Sequence, residues 1–131
     1  MAFFILTSGG VRADTQLEES MKQMGKAYKA LAADLKQPQD ANKAQYLNLA
    51  ATMKTQAQVS HDLVPKLAQT LPADQRDAMV QNYQKAMDQL MQTIDSLSQS
   101  LQGGQWADAQ KVMDTLHQEM TDGHKAFRAK H

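Results

Sequence analysis

The stretch IDSLSQSLQGGQWADAQ, residues 94–110, contains the end of one predicted helix and the start of the next. Leu97 and Leu101 lie four residues apart, so they share one face of a helix. Gly103 and Gly104 then interrupt the apolar spacing, and glycine is typical of the position just after a helix ends. The stretch therefore predicts two helices joined by a short turn.

The same three- and four-residue spacing of apolar side chains continues outward from this stretch along the chain. Pro38 and Pro72 divide the rest of the sequence, and we expect Pro65 to kink or fray the helix in which it falls. We predict four helices, at 15–36, 41–68, 73–102 and 105–129. Four such helices with short connections favour an all-α fold, an antiparallel up-down-up-down four-helix bundle.

Composition narrows the classes of function. The 131 residues suit one domain, and 14 basic against 14 acidic side chains give a formal net charge of zero. That balance offers no general attraction to nucleic acid or to an anionic membrane, and we expect a monomer that is not embedded in a membrane. The chain has no cysteine, which excludes disulfides, thiolate metal sites and haem attached through thioethers. No nucleophile elbow, P-loop or H-E-x-x-H motif is present, so we expect no enzymatic activity.

The N-terminus, MAFFILTSGGVRADTQ, combines a short apolar run with the tripeptide VRA, which resembles a signal-peptidase site. We interpret residues 1–13 as the remnant of a signal peptide cleaved after Ala13; a disordered leader is the alternative. Residues 14–131 then form a single domain.

Bundle topology brings two candidate ligands to the same end of the molecule. The first and fourth helices are neighbours and run antiparallel, so the start of the first faces the end of the fourth. Met21 and His124 both point inward there. A thioether and an imidazole can bind one metal from opposite sides. The alternative is that Met21 fills the core and His124 is a structural, hydrogen-bonded residue.

Four stretches, in order, resemble the cytochrome b562 family: LEESMKQM (17–24), VPKL (64–67), IDSLSQSLQGGQWADAQ (94–110) and HKAFR (124–128). The resemblance implies a periplasmic four-helix electron carrier that binds one haem b without covalent links and serves an unidentified redox partner protein. It also implies that Met21 and His124 are the axial ligands of the haem iron.

The resemblance extends to the walls of the expected site. It matches Tyr83 and Met87 with phenylalanines that the family places against the haem, and Arg128 with an arginine near the haem edge that can meet a propionate. We expect the remaining cofactor-binding residues to be Met24, Tyr28, Met120 and Gly123.

Gly123 directly precedes His124, and Gly25 lies one turn after Met21. A glycine inside a helix costs roughly 1 kcal/mol relative to alanine. One explanation is that a flat cofactor approaches the backbone at these glycines. The other is that Gly123 allows tight helix packing or marks fraying of the last helix.

Two functional alternatives use the same fold. His117 lies one heptad before His124, in a part of the predicted bundle that is rich in methionine. Thioethers and imidazoles together select Cu(I), so a periplasmic copper-binding bundle is one alternative. A helical protein that binds no cofactor is the other.

Overall fold

The computed structural model describes residues 9–63 and 65–127. This part of the chain contains five α-helices and no strand, which confirms the all-α helical bundle. The helices are α1 (Gly9–Asp34), α2 (Lys43–His61), α3 (Lys66–Gln69), α4 (Ala73–Gln102) and α5 (Trp106–Phe127), with a 3-10 turn at Asp40–Asn42 before α2.

The prediction of one continuous helix over 41–68 is wrong, because that segment is broken into α2 and α3. Pro65 lies at the break in an extended conformation, with φ −60° and ψ 141°. A proline has no backbone N–H to donate, and it disfavours helical geometry in the residue before it. The interruption expected at Pro65 is therefore confirmed, and α3 is a single short turn beyond it.

The first helix begins earlier than predicted, at Gly9 rather than near residue 15. Residues 9–13, which we assigned to a leader, are helical in this structure. The rest of that segment, residues 1–8, lies outside the described residues, and cleavage after Ala13 stays a prediction.

The turn between α4 and α5 explains why this connection needs glycine. Gly104 has a φ of 66°, in the left-handed region that other residues rarely adopt. Its N–H donates to the Leu101 carbonyl at 3.1 Å, and the N–H of Gln105 donates to the Ser100 carbonyl at 2.9 Å. These two bonds satisfy the last carbonyls of α4 in a Schellman motif, which stops the helix and reverses the chain.

Side chains connect α1 directly to α5. Gln110 Nε2, near the start of α5, donates to the carbonyl of Leu35, just after the end of α1, at 2.6 Å. The Tyr28 hydroxyl donates to the carbonyl of Met113 at 3.3 Å. These contacts make the two helices antiparallel neighbours, so the start of α1 lies beside the end of α5.

The core is formed by buried apolar side chains from all four long helices. It includes Leu31, Met53, Ile94, Leu97 and Leu116, each at most 1% exposed. Toward the end of the bundle where α1 starts and α5 ends, the packing loosens, and Met21, Met120 and Phe127 are only partly buried. None of the described helices is both long enough and apolar enough to cross a membrane.

Candidate functional site

A cleft lies at the loosely packed end of the bundle, among α1, α4 and α5. It contains about 410 Å³ of empty space, counting the part that is open to solvent. Its lining residues are Met21 and Met24 from α1; Tyr83, Ala86, Met87 and Leu90 from α4; and Glu119, Met120, Gly123, His124 and Phe127 from α5. Most of these side chains are apolar, so the cleft suits a largely apolar ligand.

Helical periodicity explains how each element contributes. Met21 and Met24 are three residues apart on α1, and Met120, His124 and Phe127 follow at spacings of four and three on α5. Residues at these spacings point to the same side of a helix, so each helix presents one short row of side chains to the cleft.

Met21 and His124 approach the cleft from two different helices, and both lie toward its rim. Met21 is partly buried and His124 is exposed, whereas Met24 is only 1% exposed and forms part of the core. A thioether sulfur and an imidazole nitrogen thus line the same cleft, and they are the two donors there that could hold a metal-containing cofactor between α1 and α5.

The glycine beside His124 leaves free space in the cleft. A Cβ placed on Gly123 would meet no described atom within 4 Å, and the same is true of Gly25. Tight helix packing is therefore wrong as the reason for glycine at position 123, whereas fraying of the last helix stays a prediction. Gly123 lines the cleft and Gly25 does not, so close approach of a ligand to the backbone is an explanation for Gly123 alone.

Tyr83 forms a fixed part of the cleft wall. Its hydroxyl donates to the carbonyl of Ser60, near the end of α2, at 2.5 Å. Its ring meets the edge of Phe127 with 5.3 Å between centroids. Burial of the side chain raises the pKa of Tyr83 well above its usual range, so the phenol stays neutral. Tyr83 thus ties α4 to both α2 and α5 and presents an uncharged surface to the cleft.

Among the residues that the structure describes, Glu119 is the one carboxylate that lines the cleft. Its Oε2 accepts a hydrogen bond from Thr93 Oγ1 at 3.0 Å. Its Oε1 is buried and has no hydrogen-bond partner among the described residues. Burial raises the pKa of Glu119, and hydrogen bonding by Thr93 and Gln89 offsets part of that rise.

The cleft brings together seven of the nine residues predicted from sequence: Met21, Met24, Tyr83, Met87, Met120, Gly123 and His124. Tyr28 does not line it. Its ring lies beside that of His117, with 5.8 Å between the ring centroids. At this position along the bundle α1 and α5 are in contact, because the Tyr28 hydroxyl donates to the carbonyl of Met113. His117 is likewise not among the lining residues, and Arg128 lies outside the described residues.

Sequence reasoning missed four lining residues: Ala86, Leu90, Glu119 and Phe127. Leu90 and Phe127 belong to the regularly spaced apolar residues of their helices, and this spacing predicts that they face the interior of the bundle. Glu119 lies three residues after Leu116, at the edge of the stripe, where a carboxylate is usually solvated. Its position in the cleft has no clear signal in the sequence.

In a comparison with known protein families, residues 16–128 match the family model described as Cytochrome b562. The matched region begins before Met21 and contains every residue that lines the cleft. Comparisons with curated proteins and with solved structures found no match.

Proposed function

The chain belongs to the cytochrome b562 family, and on that premise we propose that it is a periplasmic electron carrier with one non-covalently bound haem b. The family implies haem binding, and its members are electron carriers rather than enzymes. One observation carries the assignment of the site to this chain. Met21 and His124, a thioether and an imidazole from two different helices, line the same apolar cleft.

The lining of the cleft suits a largely apolar cofactor. Its walls are dominated by methionine, leucine and aromatic side chains, which exclude water from a bound ligand. Free space above Gly123 gives such a ligand access to the backbone of α5 beside His124.

Two protein ligands would leave no open coordination position, so the site supports electron transfer rather than catalysis on a bound substrate. Haem, when bound, supplies a one-electron couple. As a ligand of that haem, the thioether of Met21 would favour the reduced state and so raise the reduction potential. His124 is exposed, which leaves one side of the site near the surface for a redox partner protein.

The proposed periplasmic location rests on the family resemblance and on the N-terminal sequence, in which an apolar run precedes VRA. N-terminal sequencing of the protein recovered from a periplasmic fraction tests this. A first residue of Asp14 would support cleavage after Ala13, and a full-length chain retained in the cytoplasm would contradict it.

Titration of the apoprotein with haemin tests the function itself. We expect saturable one-to-one binding and, on reduction, the sharp α and β bands of low-spin haem. Failure to bind haem at one equivalent would contradict the proposal. A parallel titration with Cu(I) tests the copper alternative, which draws on the same cleft because four of its lining residues are methionines. Tight Cu(I) binding without haem uptake would favour copper.

A further inference from the structure

Glu119 is an ionisable group for which the proposed site has no assigned role. It lies on α5 within the cleft, one residue before Met120. One of its carboxylate oxygens is held by Thr93 of α4, and the other, Oε1, is buried without a hydrogen-bond partner among the described residues. A buried carboxylate oxygen without a partner costs free energy, and it costs more when the group is ionised.

Among the described residues, no lysine or arginine lines the cleft beside Glu119. The other titratable residues that line the cleft are Tyr83 from α4 and His124 from α5, while α1 contributes two methionines, which do not titrate. Gln89 and Thr93 of α4 act on the carboxyl as uncharged hydrogen-bonding groups. The charge of a cofactor in the cleft would act on Glu119 across a mainly apolar space, where charges are screened less than in bulk water.

We propose that Glu119 couples reduction of the cleft-bound haem to the uptake of one proton, an inference that rests on the proposed function. The redox partner supplies one electron, which reduces the iron from Fe(III) to Fe(II), and water supplies one proton, which binds Glu119 Oε1. The net charge of the cleft is then the same before and after the step. We assign the proton to Oε1 because this oxygen is buried and has no hydrogen-bond partner among the described residues, whereas Oε2 lies within hydrogen-bond distance of the Thr93 hydroxyl, which also reaches the carbonyl of Gln89.

The direction of the coupling follows from charge. An ionised Glu119 stabilises the more positive, oxidised cofactor and lowers the reduction potential, whereas a neutral Glu119 raises it. Because the coupling is reciprocal, reduction must equally favour protonation of Glu119. The desolvation of the carboxyl places its titration closer to neutral pH than that of an exposed glutamate.

The test measures the reduction potential of the haem-loaded protein as a function of pH. We compare the wild type with Glu119→Gln and with Glu18→Gln, which removes the same charge from an exposed position on α1. In the wild type we expect the ratio of reduced to oxidised haem to fall up to tenfold per pH unit, about 59 mV, within the titration range of Glu119. Glu119→Gln should abolish that dependence, and Glu18→Gln should retain it.

A second measurement can be made on the wild type alone, with Glu119→Gln as its control. Reduced-minus-oxidised infrared difference spectra of the wild type should show a protonated carboxyl band appearing on reduction, and Glu119→Gln should lack it. If haem binds in low-spin form but the potential of Glu119→Gln varies with pH as the wild type does, the inference is overturned and the proposed function stands. If the protein binds no haem, both the proposed function and the inference about Glu119 are wrong. If Glu119→Gln does not fold, absence of the carboxyl band in the wild type overturns the inference.

Discussion

Met21 on α1 and His124 on α5 line one cleft, although they come from opposite ends of the chain. The antiparallel arrangement of the two helices brings them together, and hydrogen bonds from Tyr28 and Gln110 fix that arrangement further along the bundle. The proposed ligands are therefore held by tertiary packing rather than by a local motif. Changes at either residue should alter haem ligation with little effect on the fold.

Met21→Ala should open one axial position while the bundle stays folded. Because Met21 is partly buried, we expect a loss of apoprotein stability below the roughly 2–5 kcal/mol typical of a fully buried Met→Ala change. Haem bound to the variant should become partly high-spin, and its reduction potential should fall because the thioether is lost. Absorption spectra and redox titration measure both effects.

Met24→Ala is the matched control on the same helix. Met24 is 1% exposed, so its loss should cost the full range of about 2–5 kcal/mol in urea unfolding. The low-spin bands should nevertheless remain. If Met24→Ala produces high-spin haem and Met21→Ala does not, the ligand on α1 is assigned to the wrong methionine.

His124→Ala should weaken haem binding more than Met21→Ala does, because imidazole is the stronger ligand and its loss leaves only a thioether. His117→Ala and His61→Ala serve as controls. His117 lies beside Tyr28 outside the cleft, and His61 interacts with Asp62 and Asp88 on the surface. Haem dissociation constants and visible spectra should change only for His124→Ala. Loss of the low-spin bands in His117→Ala alone would place the ligand two turns earlier on α5.

Tyr28→Phe should leave the haem spectrum unchanged, because Tyr28 lies outside the cleft. The change removes the hydroxyl that donates to the Met113 carbonyl at 3.3 Å. A neutral hydrogen bond of this kind contributes about 0.5–1.5 kcal/mol, so we expect a loss of that order in urea unfolding. A shift of the low-spin bands in Tyr28→Phe would show that the cleft extends further along α1 when haem is bound.

The four long helices were predictable because their apolar spacing is regular and their ends carry glycine or proline. Met21 and His124 could be paired for the same reason, since bundle topology follows from short connections. Tyr28 lies outside the cleft because α1 and α5 are in contact at its level. The spacing of residues along one helix does not show where two helices touch, so this could not be predicted. Glu119 was missed because a carboxylate at the edge of an apolar stripe looks the same in sequence whether it is solvated or buried.

Gly123→Ala and Gly25→Ala form a matched pair that tests where the cofactor lies. Neither new methyl group meets an atom within 4 Å among the described residues, so both variants should gain up to roughly 1 kcal/mol of apoprotein stability from better helix propensity. Only Gly123 lines the cleft. Haem affinity should therefore fall in Gly123→Ala and stay unchanged in Gly25→Ala. Equal haem affinities in the two variants would show that the space above Gly123 is not occupied by the cofactor.

Glu119 should also give the apoprotein a pH-dependent stability that needs no haem to observe. Burial raises the pKa of Glu119 in the folded state above its ordinary value of 4.5, so the folded state binds this proton more tightly than the unfolded state. The contribution of Glu119 to the free energy of unfolding is thus fully present at a pH below that ordinary pKa, and it is lost as the pH rises through the raised pKa. We expect the free energy of unfolding of the wild type to decrease relative to that of Glu119→Gln as the pH increases over this range.

Urea unfolding of the apoproteins at a series of pH values measures the difference, with Glu18→Gln as the control. A constant difference between wild type and Glu119→Gln across the series would mean that the carboxyl titrates as an exposed glutamate does.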